Sequence, residues 1–269
     1  MNEFVGQNKI VRELAAIEDA LKRDKNLSIN LLLRGPGGCG KTMLAQSFAS
    51  KFGRFSFQIP RNHFIWKKRM DEYRCHIVDE IHLLKTPEEV YPYLDKKQFV
   101  FIFATTEVGV LAEPLTSRCI NLVFQEYSLE DIVSIIIQHS KDIDFEVTED
   151  TAKLIAERCK LSPRIAKQYL ERMHFIIEKK YHPLTLNGII NAFKDIGVFE
   201  GGYTDADIMY LKLLSKLGKA SLQTISGALR MDKATITNDI EPFLIMNGHI
   251  SIGSKGRQFL GWRKMNDNS

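Results

Sequence analysis

The residues Gly35-Pro36-Gly37-Gly38-Cys39-Gly40-Lys41-Thr42 follow the spacing G-x-x-x-x-G-K-T, which is a phosphate-holding arrangement. Glycines let backbone N–H groups close around phosphate oxygens, and the positive end of a following helix adds to the attraction. Lys41 then reaches the β- and γ-phosphates of a nucleoside triphosphate, and the Thr42 hydroxyl sits on Mg²⁺. Further on, the apolar run Cys75-His76-Ile77-Val78 ends in Asp79-Glu80. Adjacent carboxylates downstream of a phosphate loop divide the work. Asp79 supports the magnesium ion through water, and Glu80 orients and deprotonates an attacking water. His82 is no metal ligand by this reading, because no second His or Cys stands at ligand spacing.

These groups need a scaffold, and the surrounding pattern supplies one. Leu31-Leu32-Leu33 reads as a buried strand entering the loop, and Met43-Leu44-Ala45-Gln46-Ser47-Phe48-Ala49 as the helix leaving it. Phe55–Pro60 alternates as a short strand. Phe99–Ala104 is a continuous apolar run suited to burial on both faces, and Ile120–Phe124 is strand-like. Thr105-Thr106-Glu107 places hydroxyls at the carboxyl end of a central strand, where ligands bind in parallel sheets. Within residues 4–25, Phe4-Val5-Gly6-Gln7 is followed by a helical pattern with Ile10, Val11, Leu14, Ile17 and Leu21 at three- and four-residue spacing. The fold class expected is therefore an α/β P-loop nucleotide-hydrolase core, a parallel sheet flanked by helices.

From Ser128 the chain changes to helices: Leu129–Lys141, a helix capped by Thr148, one opened by Ser162-Pro163, and one over 185–196. Arg164 falls in the first turn of its helix, where a cation opposes the dipole, so a ligand-facing role gains weight. Gly197 to Tyr203 reads as a linker. Three helices (Thr204–Leu217, Ser221–Leu229, Asp232–Met246) and a hairpin follow, which is the layout of a winged helix. Lys255, Arg257 and Arg263, with Lys264, are its candidate contacts to a DNA backbone. The cluster Arg61, His63, Phe64, Trp66, Lys67, Lys68, Arg69 suits either a nucleic-acid backbone or a solvated helix face. The boundaries expected are 1–127 for the nucleotide-binding base, 128–196 for a helical lid and 197–269 for the winged helix.

Composition sets outer limits. The 269 residues are 44% apolar with a formal charge of +4, which permits a nucleic-acid partner without demanding one. Cys39, Cys75, Cys119 and Cys159 show no paired spacing and read as reduced cytoplasmic thiols. No apolar run approaches the roughly 20 residues of a membrane span, and Met1-Asn2-Glu3-Phe4 lacks a secretion layout.

Taken together, Phe4-Val5-Gly6-Gln7, Gly35–Thr42, Asp79-Glu80-Ile81-His82, Ala104-Thr105-Thr106, Pro114-Leu115 to Arg118, Ser162-Pro163-Arg164-Ile165-Ala166 and Lys255-Gly256-Arg257 resemble the AAA+ ATPases. The resemblance is greatest to the RuvB family of Holliday-junction branch-migration motors, and it spans nearly the whole chain in the family's order. It implies an AAA+ core with a helical lid and winged helix, ATP and Mg²⁺ as cofactors, and an oligomeric ring, hexameric in the family, acting on branched or duplex DNA. It also implies roles for single residues. Thr106 is similar to the γ-phosphate sensor, Arg118 to the arginine finger that acts on the neighbouring copy's nucleotide, and Arg164 to the second sensor in the lid. Val5 and Gly6 would lie near the adenine, and the cradle would extend from Gly35 to Met43.

The chain departs from that family pattern by shortened stretches between Thr42 and Asp79 and between Glu80 and Ala104. The second is where the family inserts a hairpin docking a RuvA-like junction-binding partner. Leu83–Lys97 has room for one helix and no hairpin, which speaks against that partner. Glu107 stands where the family carries a basic residue, and Ser117-Arg118-Cys119 is similar to the finger motif of clamp loaders. A clamp-loader or helicase-loader ATPase, or an ATP-gated winged-helix regulator, is the alternative at this point.

Overall fold

Five parallel strands carry the chemistry-bearing half of the chain: β1 (Ile29–Arg34), β2 (Phe55–Gln58), β3 (Cys75–Val78), β4 (Val100–Thr105) and β5 (Ile120–Val123). Their order in the sheet is β2-β3-β4-β1-β5. All six residues of β4 are buried, as are Leu31, Leu32 and Leu33 of β1. Central strands covered on both faces are apolar throughout, which is why these runs show no alternation. Edge strand β5 buries Leu122 and exposes its other residues. The register sets Arg34 opposite Thr105 and Leu31 opposite Ile120, so the ends of β1, β3 and β4 share one rim of the sheet.

The structure is a computed structural model, and it describes residues 4–60, 70–107, 109–179, 181–254 and 256–262. The chain divides into two compact units. One holds residues up to Ile135 together with Ser162–Arg164, and the other holds Ile136–Leu161 and Ile165–Ser269. In the first, the sheet is accompanied by α1 (Asn8–Arg23), α2 (Lys41–Ser50), α3 (Tyr91–Asp95) and α4 (Glu113–Thr116). Leu32, Val78, Phe101 and Phe103 form its core with Leu94 and Leu115. Between Ile81 and Phe99 the chain makes two 3₁₀ turns and α3, with no strand. The basic-aromatic cluster from Arg61 to Arg69 lies outside the described residues.

The following helices are α5 (Leu129–Asp142), α6 (Glu149–Ala156), α7 (Pro163–Glu178), α8 (Leu186–Asp195), α9 (Asp205–Leu217) and α10 (Leu222–Leu229). Hydroxyl caps fix their starts: Thr148, Thr185, Thr204 and Ser221 each accept a hydrogen bond from the backbone N–H three residues on. The single helix expected over Asp232–Met246 is broken into α11 (Lys233–Thr235), a π-turn over Ile236–Ile240 and α12 (Glu241–Met246). Pro242 explains the break. It has no N–H to return to the carbonyl four residues back, so the ladder widens ahead of it. Strands β6 (Lys219–Ala220), β7 (Ile250–Gly253) and β8 (Gly256–Phe259) form an antiparallel sheet in the order β6-β8-β7. Tyr210, Leu214, Ile225, Ile236, Leu244 and Ile250 pack as the core beneath it.

Ahead of α7, Lys160 and Leu161 both adopt positive φ (49° and 52°), uncommon for residues with a Cβ. The Lys160 ammonium donates to Asp207 Oδ2 at 2.7 Å and lies 4.1 Å from the Phe243 ring centre. Asp207, fully buried, is also the third residue of α9 and accepts from Thr204 N and Oγ1 at 2.8 Å each. One carboxylate thus serves both a helix cap and a buried ion pair.

Candidate nucleotide-binding site

The strand–loop–helix unit forms as its sequence predicts: β1 ends at Arg34, and α2 begins at Lys41. Buried Lys41 donates to the carbonyls of Gly35 and Pro36 at 2.8 Å each, which sets its ammonium inside the loop. Gly38 and Gly40 have φ of 77° and 90°, and both are closely overlaid. A Cβ on Gly38 would come within 2.9 Å of Arg164 Cβ and 3.2 Å of Ser162 Oγ. One on Gly40 would meet Phe4 Cζ at 3.0 Å. Gly37 has open space around it. The loop therefore has the shape of a cradle, with Arg164 at its wall and α2 behind it, and it suits a polyphosphate.

Residues 4–7 reach the same place. Gly6 (φ 72°) leaves room for the Tyr127 ring, which an added Cβ would meet at 2.8 Å. Gln7 bonds to Gln125 in both directions, at 2.7 and 2.9 Å. The buried Tyr127 hydroxyl donates to the Cys39 carbonyl at 3.0 Å, and burial pushes its ionisation well above the ordinary tyrosine range. Burial also raises the Cys39 thiol, so that side chain is neutral packing within the loop.

The acidic pair sits on the rim beside the loop. Thr42 Oγ1 donates to Asp79 Oδ2 at 2.6 Å, joining the two groups expected at the cation. Among the described residues no group of three or more His, Cys, Asp or Glu side chains could hold a metal by itself. A hydroxyl and one carboxylate instead match magnesium, which keeps waters and borrows phosphate oxygens.

Glu80 takes a left-handed backbone conformation (φ 51°), a strained geometry for a residue with a side chain. Thr106 N and Oγ1 both donate to its Oε2, at 3.2 and 3.0 Å. His82 Nδ1 lies 3.3 Å from that same oxygen and 3.1 Å from Thr105 Oγ1. The carboxylate and the hydroxyl at the end of β4 are therefore linked directly, and His82, dismissed as a metal ligand, is a neighbour of both. Phe4, Gln7 and His82 stand in segments that carry the resemblance, whereas Tyr127 had no motif to announce it. Only the fold brings that ring to the site.

Arg118 lies elsewhere. It precedes β5, and Asn30 Nδ2 donates to its carbonyl at 3.1 Å, level with the beginning of β1. Gly35 is five residues further along, roughly 16 Å at about 3.3 Å per residue. An arginine side chain of about 7 Å, built from bonds near 1.5 Å, does not span that gap. The side chain is 35% exposed, on the surface. Its nitrogens bond to Asp95 and to the Pro114 carbonyl, and the Asp95 bond raises its ionisation further.

The wing differs from expectation. Arg257 is not a free surface cation. Its Nε and Nη2 donate to Glu241 Oε1 and Oε2 at 2.7 and 3.1 Å, and Tyr210 donates to the same Oε1 at 2.8 Å. Glu241 is 2% exposed, and among the described residues Arg257 and the tyrosine compensate that buried carboxylate, which turns Arg257 inward. Lys255 and Arg263, the other expected DNA contacts, lie outside the described residues.

Residues 200–260 match the family description "RuvB C-terminal winged helix domain". The chain is 32% identical over 289 residues to the Holliday junction branch migration complex subunit RuvB of Helicobacter acinonychis, covering 94% of this chain and 85% of that protein. It is 31% identical to the protein of the same name from Helicobacter pylori (strain G27), covering 95% and 86%. The solved Thermotoga maritima RuvB Holliday junction branch migration motor superposes with a TM-score of 0.81 at 26% identity, covering 96% of this chain and 93% of that one. Domain III of the Thermotoga maritima replication initiation protein DnaA shares the fold alone, at 14% identity and a TM-score of 0.56 over 72% of this chain. A match that runs through base, lid and wing at this identity is one of descent, and the chain belongs to the RuvB family.

Proposed function

We propose that this protein is an ATP-driven DNA motor of the RuvB type that works as a ring of identical copies, each completing the next copy's nucleotide site. Its relatives carry the name of a branch-migration subunit, which supports an ATPase acting on branched DNA. The observation that carries the shared-site reading is the place of Arg118, exposed at the rim of the sheet opposite its own phosphate loop. A guanidinium out of reach of its own nucleotide is well placed for another copy's. The base would comprise residues 1–127, the lid 128–196 and the winged helix 197–269.

The geometry supports the following roles. Gly35 to Met43 wraps the phosphates, with Pro36 and Cys39 shaping the turn, while Val5 and Gly6 border the base. Thr42 and Asp79 would hold Mg²⁺, Asp79 through water, and the ion would neutralise charge on the phosphates. Glu80 accepts the proton of the attacking water, and Thr106 fixes the orientation of its carboxylate. Arg164, packed over Gly38, reports nucleotide state to the helices that follow it. Arg118 of the next copy stabilises the charge that develops on the transferred group, an effect worth about 10³–10⁵ in turnover. The segment from Ile81 to Phe99 offers no hairpin for a junction-binding partner, so DNA engagement would rest on this chain.

The test is a pair of variants and their mixture. Lys41→Ala should lose nucleotide binding, whereas Arg118→Ala should bind ATP normally and hydrolyse none. Mixed together, they should recover turnover, because Lys41→Ala copies bring an intact finger to Arg118→Ala copies. Normal hydrolysis by Arg118→Ala alone would end the shared-site reading.

A further inference from the structure

Arg118 is gripped by one short helix. Tyr91 and Asp95 are four residues apart on α3 and so share a face. Asp95 Oδ1 accepts from Arg118 Nε at 2.9 Å, and Oδ2 accepts from Nη2 at 3.4 Å. The Tyr91 ring centre lies 5.0 Å from the guanidinium carbon, within cation–π range. The Pro114 carbonyl accepts from Nη1 at 2.8 Å. A guanidinium offers five N–H groups, of which these contacts use three. Among the described residues Nη1 and Nη2 each keep one N–H, on an exposed side chain. A planar fork with two donors left over matches two phosphoryl oxygens.

We propose that Asp95 and Tyr91 are positioning residues for Arg118, holding the guanidinium ready for the neighbouring copy's nucleotide. The inference rests on the shared-site reading above and deepens it. A free arginine loses much rotamer freedom when it meets a phosphate; one already stacked and ion-paired loses less. Both residues come from the stretch between Glu80 and Ala104, one of the two that are shortened against the family pattern, so the support is built from this chain's own replacement segment.

The experiment uses the full-length protein. Asp95→Ala, Asp95→Asn and Tyr91→Leu should each lower kcat for ATP about tenfold or more, with KM within about twofold, while ring assembly by sedimentation stays as in the unaltered protein. Asp95→Asn keeps the shape and carries the test if the alanine variant does not fold. Mixing Asp95→Ala with Lys41→Ala should restore turnover, because the defect lies in the finger delivered and not in the copy's own site. A structural defect of the mutated copy would give no rescue. Unchanged or raised kcat in the Asp95 variants, or absent rescue, overturns the proposal. Arg118→Ala run alongside separates the two levels. If it hydrolyses normally, the shared-site reading fails. If it is inactive while the Asp95 variants are not, only the positioning role fails.

Discussion

Replacing Arg257 by alanine should unfold the winged helix more readily and leave its DNA contacts unaltered. The substitution strips Glu241 Oε2 of its partner and leaves Oε1 with the Tyr210 hydroxyl alone. Removing one member of a buried ion pair costs about 3–5 kcal/mol, since the survivor is left charged without compensation. Arg257 keeps 15% of its side chain exposed, so water can enter beside Glu241, and the lower end, about 3 kcal/mol, applies. That is a large part of the roughly 5–15 kcal/mol that holds a domain together. Urea unfolding can be followed by Trp262, whose ring lies 6.0 Å from that of Phe259 on β8, in a Trp66→Phe background. With a denaturant dependence near 2 kcal/mol per molar, the midpoint should fall by about 1.5 M. Where the variant is still folded, the salt dependence of DNA binding should match the unaltered protein. A phosphate-contacting cation would instead flatten that slope by about one when removed. The triple change Arg257→Met, Glu241→Leu, Tyr210→Phe removes the whole polar cluster and should recover most of the loss. An unchanged urea midpoint together with a flatter salt slope would refute this reasoning and return Arg257 to the DNA face.

Two other predictions concern the sheet and the phosphate loop. His76 has no exposed surface, stacks 5.3 Å from Phe101, and burial lowers its pKa from 6.5 to about 4. Between those values the unfolded chain takes up the proton and the folded one does not, so stability is full above about pH 6.5 and declines toward pH 4. At about 1.4 kcal/mol per unit the total reaches roughly 3 kcal/mol. Urea midpoints at pH 7 and pH 5 should show the loss, and His76→Phe should remove this share of it. An identical acid loss in both proteins would exclude His76 as its source. Gly38→Ala places a Cβ 2.9 Å from Arg164 at φ 77° and should abolish ATP binding, measured by fluorescent-nucleotide titration. Retained affinity would mean the cradle is looser than drawn.

How far the fold could be read ahead depended on how local the cause was. The strand, glycine turn and helix around Lys41 are set by neighbours in sequence, as is the cap at Thr148, and all formed where the residues indicated. Glu241 and Arg257 are 16 residues apart, and nothing in either neighbourhood announces that they meet. A basic residue in a wing looks the same on paper whether it faces solvent or a buried carboxylate. Pro242 was visible, but its consequence, a π-turn in place of an unbroken third helix, needed the backbone ladder. Tyr127 belongs to the site through packing against Gly6 and Cys39, for which no spacing rule exists.

Lys160 and Asp207 have a bearing on how this protein could be re-engineered. A winged helix is often treated as a portable module, to be exchanged at a convenient linker. Here a chimera joined near residue 197 would leave the Lys160 ammonium against whatever replaces Phe243, with no carboxylate to meet it. The graft, for its part, would keep the buried Asp207 carboxylate at the first turn of α9 and lose the ammonium that compensates it. A transplant that works should therefore carry residues 158–161 along with the wing, so the unit of inheritance is larger than the unit of fold.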